Sequence, residues 1–339
     1  MSSFANARER IASQGLLLPL GAIVLMLVAF VCLSEITGRP ITTANGYDVF
    51  QQVGTYGLVA LAIALTMVAG EFDLSVPAMF GLGGTLAVLT GESDPYVGVA
   101  VAVAAALVFG ALQGGIVARL RISSVPVTLG GYLILSGLTY ILTNSKSIPY
   151  DNFTAVQDLD TPVGMVLSVH SLIVLLVFAA IGVVAHFTKI GSSLRAIGGD
   201  RRAARASGVP VSKYLVATLA FSSALAALAG ALQGYALAGT SPNFALSPLI
   251  FAVTASVLGG VRLEGGRGTV LGVAAGVAAL SILEEGLVVL NASDSLSQMV
   301  TGALLVVVAL ISAPGLRLRR TARARAGTAA AEAALGADK

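Results

Sequence analysis

Charge is what this chain has least of. Only 11% of its 339 residues are Asp, Glu, Lys or Arg, against roughly 25% in an ordinary globular domain. The shortage is uneven: long stretches carry no charge at all, and charged residues gather in short breaks between them. That distribution excludes a soluble protein. The single cysteine, Cys32, lies in an apolar stretch and can form neither an internal disulfide nor a cysteine metal site; an inert, buried thiol is expected. Histidine is nearly absent too. His170 and His186 stand sixteen residues apart at the edges of apolar stretches, where they read as interfacial polar residues and not as a metal pair. The stretch Gly259-Gly260-Val261-Arg262-Leu263-Glu264-Gly265-Gly266-Arg267-Gly268 lacks the lysine and Ser/Thr of a phosphate-cradling loop. No nucleophile–base pair stands out. The chain reads as no enzyme, with no cofactor or metal of its own. Its net charge of +3 points to no nucleic acid, because the basic residues sit in loops whose sidedness explains them.

What is abundant is apolar surface. Apolar residues make up 56% of the chain and the mean hydropathy is +0.90. A bilayer core of ~30 Å needs about 20 apolar residues to be crossed as a helix, and the sequence repeats at about that period. Ten segments can be drawn: Leu16–Leu33, Gly54–Gly70, Leu74–Thr90, Tyr96–Leu120, Pro126–Leu142, Ser168–Ala185, Tyr214–Leu237, Leu249–Gly260, Gly268–Leu290 and Leu296–Ser312. The eighth is short, and the third is interrupted by Pro77 and a Gly81–Gly84 cluster. Such segments are tolerated in lipid only where protein or an aqueous cavity surrounds them. The 39 glycines, with dense Ala and Ser, let helices approach closely. The expected fold class is an all-α integral membrane bundle of about ten transmembrane helices.

Arg8 and Arg10 precede the first segment as in a secretory signal. The segment is longer than a signal core and no cleavage site follows it closely, so a retained helix is expected. The domain plan is then a cytoplasmic N-terminal segment (1–15), a transmembrane domain (16–312) containing a cytoplasmic loop (188–213), and a basic, Ala-rich tail (313–339), a solvated end held near anionic lipid. Basic residues accumulate in cytoplasmic loops. With the N-terminus inside, 18 of the 20 Lys and Arg fall on that side, leaving Arg39 and Lys146 outside. Both termini are therefore expected in the cytoplasm.

The loop Thr188 to Lys213 carries the clearest local signal. Asp200 is a good N-cap, Arg201-Arg202-Ala203-Ala204-Arg205-Ala206-Ser207 favours helix, and Gly208-Val209-Pro210 is a normal stop. A helix of about two turns is too short to stand alone in water. Something must hold it: the inner face of the bundle, lipid headgroups, or a soluble partner.

Gly191-Ser192-Ser193-Leu194-Arg195-Ala196-Ile197-Gly198-Gly199-Asp200, with Ala203-Ala204-Arg205 and Ser207-Gly208-Val209, resembles the coupling loop of ribose-type ABC transporter permeases. Asn45 to Gln52, then Gly70-Glu71-Phe72-Asp73-Leu74-Ser75-Val76, is similar to that family's second-helix region and its G-G-I-D-L-S-V-type motif. Val257-Leu258-Gly259-Gly260, with Gly265 to Gly268 and Gly272, is similar to its late Gly-rich segment. The resemblance spans roughly Asn45 to Thr301. It implies a bacterial inner-membrane permease, acting as a homodimer or half of a heterodimer, coupled to a cytoplasmic ABC ATPase and fed by an extracytoplasmic solute-binding protein. ATP and magnesium would belong to the ATPase. It implies that Arg195, Gly198, Gly199, Asp200, Ala203, Ala204, Arg205, Ser207 and Gly208 couple to that ATPase, and that the solute is a sugar or sugar-like. Related permeases carry branched-chain amino acids or nucleosides, which is the nearer alternative; an ion-coupled secondary transporter is the more distant one.

Departures from the family pattern fall at Glu71 and Phe72 (usually Gly and Ile), at Asn243 to Pro248, and at Glu284-Glu285 (commonly Asn-Asn). Candidate solute-path residues are Gln51, Gln52, Glu284 and Glu285. An ionised acid at mid-membrane costs ~2.5–3.5 kcal/mol, and helical neighbours point about 100° apart. Either one glutamate lines a path while the other is paired, or the helix ends before both. Asp73 reads as the cap of the third helix, with gating as the alternative. The topology is tested by cysteine labelling in intact cells, at Ser2 and at Asp160, in a Cys32→Ala background. Asp160 is expected to react and Ser2 to react only after permeabilisation; reaction at Ser2 in sealed cells would reverse the orientation.

Overall fold

The computed structural model describes residues 17–38, 40–242 and 247–312. Arg8, Arg10, Arg39, Asn243 to Leu246 and the tail from Ala313 lie outside the described residues. The helices are α1 (Leu17–Thr37), α2 (Thr43–Val68), α3 (Val76–Thr90), α4 (Pro95–Leu120), α5 (Ser124–Thr143), α6 (Phe153–Asp160), α7 (Val169–Phe187), α8 (Lys189–Gly199), α9 (Arg201–Ala206), α10 (Val211–Ala236), α11 (Ser247–Leu258), α12 (Val270–Val289) and α13 (Asp294–Ser312). Four two-residue strands complete the order: β1 (Ile148–Pro149), β2 (Pro162–Val163), β3 (Leu167–Ser168) and β4 (Gly239–Thr240).

Among the described residues, six helices are long and apolar enough to cross a membrane: α2, α4, α5, α7, α10 and α12. Parts of α1, α3, α11 and α13 form four shorter apolar helices. Each of the ten expected segments therefore coincides with a helix. At 1.5 Å per residue, α3 and α11 rise only about 22 and 18 Å, less than the ~30 Å hydrocarbon core.

Local signals explain the boundaries. α4 opens with Asp94 as N-cap and Pro95 at its first turn, where a missing N–H costs nothing. α7 opens with a Ser168–Ser171 capping box, and α12 with Thr269, whose hydroxyl accepts the Gly272 N–H at 3.0 Å. The largest boundary error of the sequence reading is at α2, which begins at Thr43 and not at Gly54. Asn45, Asp48, Gln51 and Gln52 interrupt the apolar run from which that segment was drawn, yet they lie within the helix, where Asn45 pairs with Glu285 and Gln51 with Ser168.

Residues 144–168 and 188–210 make the two longest connections between consecutive apolar helices and the others are shorter; the chain alternates direction. One end gathers the α2–α3 turn, α8, α9 and the α11–α12 loop, and is called here the loop end. The opposite end is closed by residues 144–168. The start of α1 and the end of α13 return to the loop end.

Burial separates an inner from an outer set of helices. Of the most apolar window in each, 78% is buried in α10 and 61% in α2 and α12, against 22% in α4, α5 and α7. The inner helices meet through small residues. A Cβ on Gly230 of α10 would overlap the Phe80 carbonyl of α3, and one on Gly276 of α12 would overlap the Ala255 carbonyl of α11. Backbones thus touch without intervening side chains, as lipid-embedded packing favours. Cys32, expected to be buried, is exposed on α1, because α1 packs on α12 along one side only and presents the rest outward. His170, expected at an interface, is 1% exposed, its ring lying against the bare backbone of Gly54.

The stretch from Thr143 to Leu167, between two of the apolar segments, is organised. β1 pairs antiparallel with β4 and β2 with β3. Tyr150 stacks on Tyr235 at 4.7 Å between centroids, and its hydroxyl donates to the Gly91 carbonyl at 2.8 Å. These contacts pin the segment across α3 and α10. The close packing yields a stability test. Gly230→Ala is expected to cost about 1–3 kcal/mol by overpacking. Gly115→Ala, where a Cβ meets nothing within 4 Å, is expected to gain about 0.5–1 kcal/mol from helix propensity. Thermal unfolding in detergent distinguishes the two; equal midpoints would show that α3 and α10 can part freely.

Candidate functional site

The loop end is built on α8 and α9. Thr188 caps α8, its hydroxyl accepting the Ile190 N–H at 3.2 Å. Residues 191–199, which the sequence places in the cytoplasmic loop 188–213 without a helix of their own, are helical, held by Leu194 and Ile197, which are both buried. Asp200 caps α9 as expected. One carboxylate oxygen accepts the Arg202 N–H at 2.7 Å and the Ala203 N–H at 3.1 Å. These N–H groups, of Ala203 first and then Arg202, hold the carboxyl below the usual range. Gly208 ends α9 at φ +83°, a conformation that suits glycine.

Four residues close a small apolar cluster beneath this loop: Ile197, Ala204, Val211 and Leu215. The inner face of the chain itself therefore supports the two-turn helix. Ala204, expected on a docking face, is 3% exposed and points inward. The helix period puts Arg202, Ala203, Arg205, Ala206 and Ser207 on the outward side, and all five are exposed. Arg195 is half-buried, and Gly199 and Asp200 are exposed.

Three glycine segments, far apart in sequence, converge against α8. Gly70 stands at φ +74° after α2, and Gly265 and Gly266 stand at +90° and +74° in the α11–α12 loop. A Cβ on Gly265 would lie 2.8 Å from Gly70 Cα, and one on Gly266 would lie 2.9 Å from Gly199 Cα. The Gly266 N–H donates to the Val68 carbonyl at 3.0 Å, and a Cβ on Gly198 would overlap that same carbonyl. The three motif blocks of the sequence thus meet in one backbone junction. An ion pair crosses it. Arg201 Nη2 lies 2.6 Å from Glu71 Oε1 and donates to the Gly70 carbonyl at 3.0 Å.

Residues 69–75, between α2 and α3, are irregular and largely buried. Buried backbone without helix partners needs others. Ser124 Oγ accepts the Phe72 N–H at 3.1 Å, and Thr128 Oγ1 accepts the Leu74 N–H at 3.1 Å. Asp73 does not itself occupy the N-cap of α3; Ser75 does. Asp73 stands two residues earlier, fully buried, and accepts the Ser75 N–H at 2.9 Å, the Ser75 hydroxyl at 2.6 Å and the Ser222 hydroxyl of α10 at 3.1 Å. It ties the start of α3 to α10.

At the opposite end, α2 carries two polar stripes. Residues 47, 51 and 55 form one. The Tyr47 hydroxyl donates to Asp160 Oδ1 at 2.6 Å, Gln51 accepts from the Ser168 hydroxyl at 2.9 Å, and the Thr55 hydroxyl donates to Gln233 at 2.7 Å. Residues 45, 48, 52 and 56 form the other by helical register, and Asn45 Nδ2 donates to Glu285 Oε1 at 2.9 Å. Gln52 has a buried carbonyl oxygen with no hydrogen-bond partner among the described residues. Gln52 and Glu285 therefore share one side of α2, and Gln51 lies on another.

A family model described as the permease component of branched-chain amino acid transport systems matches residues 47–309. The chain belongs to this permease family. The ribose import permease protein RbsC of Escherichia coli K12 is 30% identical over 298 residues, 86% of this chain and 92% of its own. The L-arabinose transport system permease protein AraH of the same strain is 27% identical over 308 residues, 89% of this chain and 92% of its own. The ribose import permease of Bacillus subtilis 168 is 26% identical over 313 residues, 90% and 95% of the two chains. No solved structure matches.

In this permease α12 runs on to Val289, so the helix does not end before Glu284 and Glu285. The two face differently, as neighbours must. Glu285 is 3% exposed and held by Asn45, and Glu284 is half-buried. Sequence reasoning missed Arg201 and the role of Glu71. The available signal was Glu71 itself, an acidic residue where the family pattern has Gly, for which a nearby partner is required once it is buried. Glu285→Leu is expected to destabilise the permease by about 1–3 kcal/mol, because it leaves the Asn45 amide without its acceptor. Glu284→Gln is expected to cost less. Denaturation in detergent measures both, and equal losses would remove the distinction between the buried, Asn45-paired glutamate and its half-buried neighbour.

Proposed function

We propose that this chain is the membrane-spanning permease subunit of a binding-protein-dependent ABC importer that carries a sugar or sugar-like solute into the bacterial cytoplasm. The observation that carries the reading is similarity to ribose and arabinose permeases over 86–90% of the chain. The family description names branched-chain amino acid transport, but the individual relatives are pentose permeases, and the sugar reading is favoured.

The finer arrangement follows from the same reading. All ten apolar helices cross the membrane, with α3 and α11 completed by irregular segments enclosed in protein. The loop end faces the cytoplasm, and both termini lie on that side. A second permease subunit, identical or related, completes the pore, and an extracytoplasmic solute-binding protein delivers the solute at the opposite end. ATP and Mg2+ are bound by a separate cytoplasmic ATPase, and hydrolysis occurs there. The outward face of α9, with Arg202, Ala203, Arg205 and Ala206, docks into that ATPase, while Ile197, Ala204, Val211 and Leu215 anchor the helix to the permease. Closure of the ATPases on ATP swings the loop and opens the bundle toward the binding protein.

The orientation of the alanines makes this testable. Ala203→Asp places a carboxylate on the exposed face and is expected to weaken ATPase capture on the order of thirtyfold, a cost of about 2 kcal/mol, with unchanged permease stability. Ala204→Asp buries an unpaired charge and is expected to lower stability itself. Pull-down of the ATPase and thermal unfolding of the permease read the two effects separately. Full ATPase capture by the Ala203→Asp protein would mean that α9 only rests on lipid.

A further inference from the structure

We propose that Arg201 and Glu71 form a clasp that carries movement of the α8–α9 loop into α3, the helix that begins five residues beyond Glu71. The proposal rests on the importer reading above and assigns the transmitting residues within it. Arg201 is the first residue of α9, immediately after its N-cap. Its guanidinium reaches the α2–α3 turn, holding Glu71 Oε1 and the Gly70 carbonyl through the same nitrogen. The Glu71 side chain is 5% exposed and that of Arg201 36%, so the pair sits at the rim of the junction with its carboxylate inward.

The other contacts of the α8–α9 loop in the junction differ in kind, since the Gly266 to Val68 hydrogen bond ties the α11–α12 loop to α2 and not to α8. Gly70, Gly198, Gly199, Gly265 and Gly266 meet backbone to backbone. Such contacts resist compression but not separation: a loop pushed inward displaces the α2–α3 turn, whereas a loop pulled away leaves it behind. A charge-assisted hydrogen bond resists both. Arg201 and Glu71 are therefore the directional link, able to draw the turn after the loop when the loop moves outward. Beyond Glu71 the path is short. Asp73 fastens to Ser75, the N-cap of α3, and to Ser222 of α10, so displacement of the turn reaches the base of two inner helices. The family that this motif block resembles usually carries Gly where Glu71 stands, so the clasp is a property of this chain and not of the motif.

The test uses the complete importer, with its co-purifying ATPase, in proteoliposomes, and needs no knowledge of the solute. Cys32→Ala supplies the background. Thr85→Cys is the reporter: it lies in the half of α3 remote from the clasp and is buried against Thr240. Its rate of reaction with a water-soluble maleimide is measured with and without ATP and vanadate. In the parent the rate is expected to change on ATP trapping. In Arg201→Met, and in the double variant Glu71→Gln/Arg201→Met, that response is expected to fall about tenfold, with ATP hydrolysis per assembled complex retained. The double variant leaves no orphan carboxylate, so a folding defect from the unpaired charge is absent from it. A merely structural brace would lower hydrolysis and labelling together. An undiminished labelling response in the double variant overturns the clasp and leaves the importer reading standing. A parent chain that captures no ATPase overturns both.

Discussion

An interrupted helix enclosed in apolar surroundings has to satisfy its free backbone groups from within the protein, and much of this structure follows from that demand at residues 69–75. The interruption between α2 and α3 is met from three directions. Ser124 and Thr128 of α5 take the N–H groups of Phe72 and Leu74, Gly266 donates to Val68, and Arg201 donates to Gly70. Each partner comes from a different part of the chain, so satisfying one short turn fixes α5, the α11–α12 loop and the start of α9 relative to α2. The glycines are the geometric condition for this. The segments approach so closely that a side chain at Gly198 or Gly265 would collide with the backbone opposite.

Family membership places the same junction in a functional frame. In the importer proposed above, hydrolysis belongs to a separate subunit, and the useful parts of the chain are those that bear on other proteins and those that convert their movement. The structure separates the two. The exposed side of α9 is polar and unencumbered, whereas its other side is committed to Ile197, Val211 and Leu215. A loop with one face anchored and one face free can be pushed without being peeled off. The opposite end is organised differently, by side-chain hydrogen bonds between α2, α6, α7 and α12, in keeping with a surface that meets polar solute.

Much of the fold was legible because hydrophobic period and loop charge are local signals. All ten apolar segments are helices, and the Asp200 to Gly208 stop-and-start pattern lies where its capping residues put it. What escaped was set by tertiary partners. The first turns of α2 fall outside the apolar run because Asn45 and Gln51 are polar, and Glu285, Ser168 and Asp160 are the partners that make these two acceptable in a helix. Ala204 and Ala203 are indistinguishable in sequence; the apolar cluster below α9 decides which points inward. Glu71 stood out as a departure, but its partner lies 130 residues away, beyond any local pattern. Asn243 to Leu246, another departure, lies outside the described residues.

The dispersal of the junction along the chain bears on biosynthesis. Gly70 and Glu71 leave the ribosome early, α8 and α9 more than a hundred residues later, and Gly265 and Gly266 later still. Until that last loop arrives, Val68 lacks its donor and α8 lacks the surface it rests on. The outward face of α9 is thus completed only when the bundle is nearly whole. Under the docking proposed above, a partner that reads the finished geometry of that face would be kept from engaging half-made chains, and assembly would run membrane bundle first, soluble partner second.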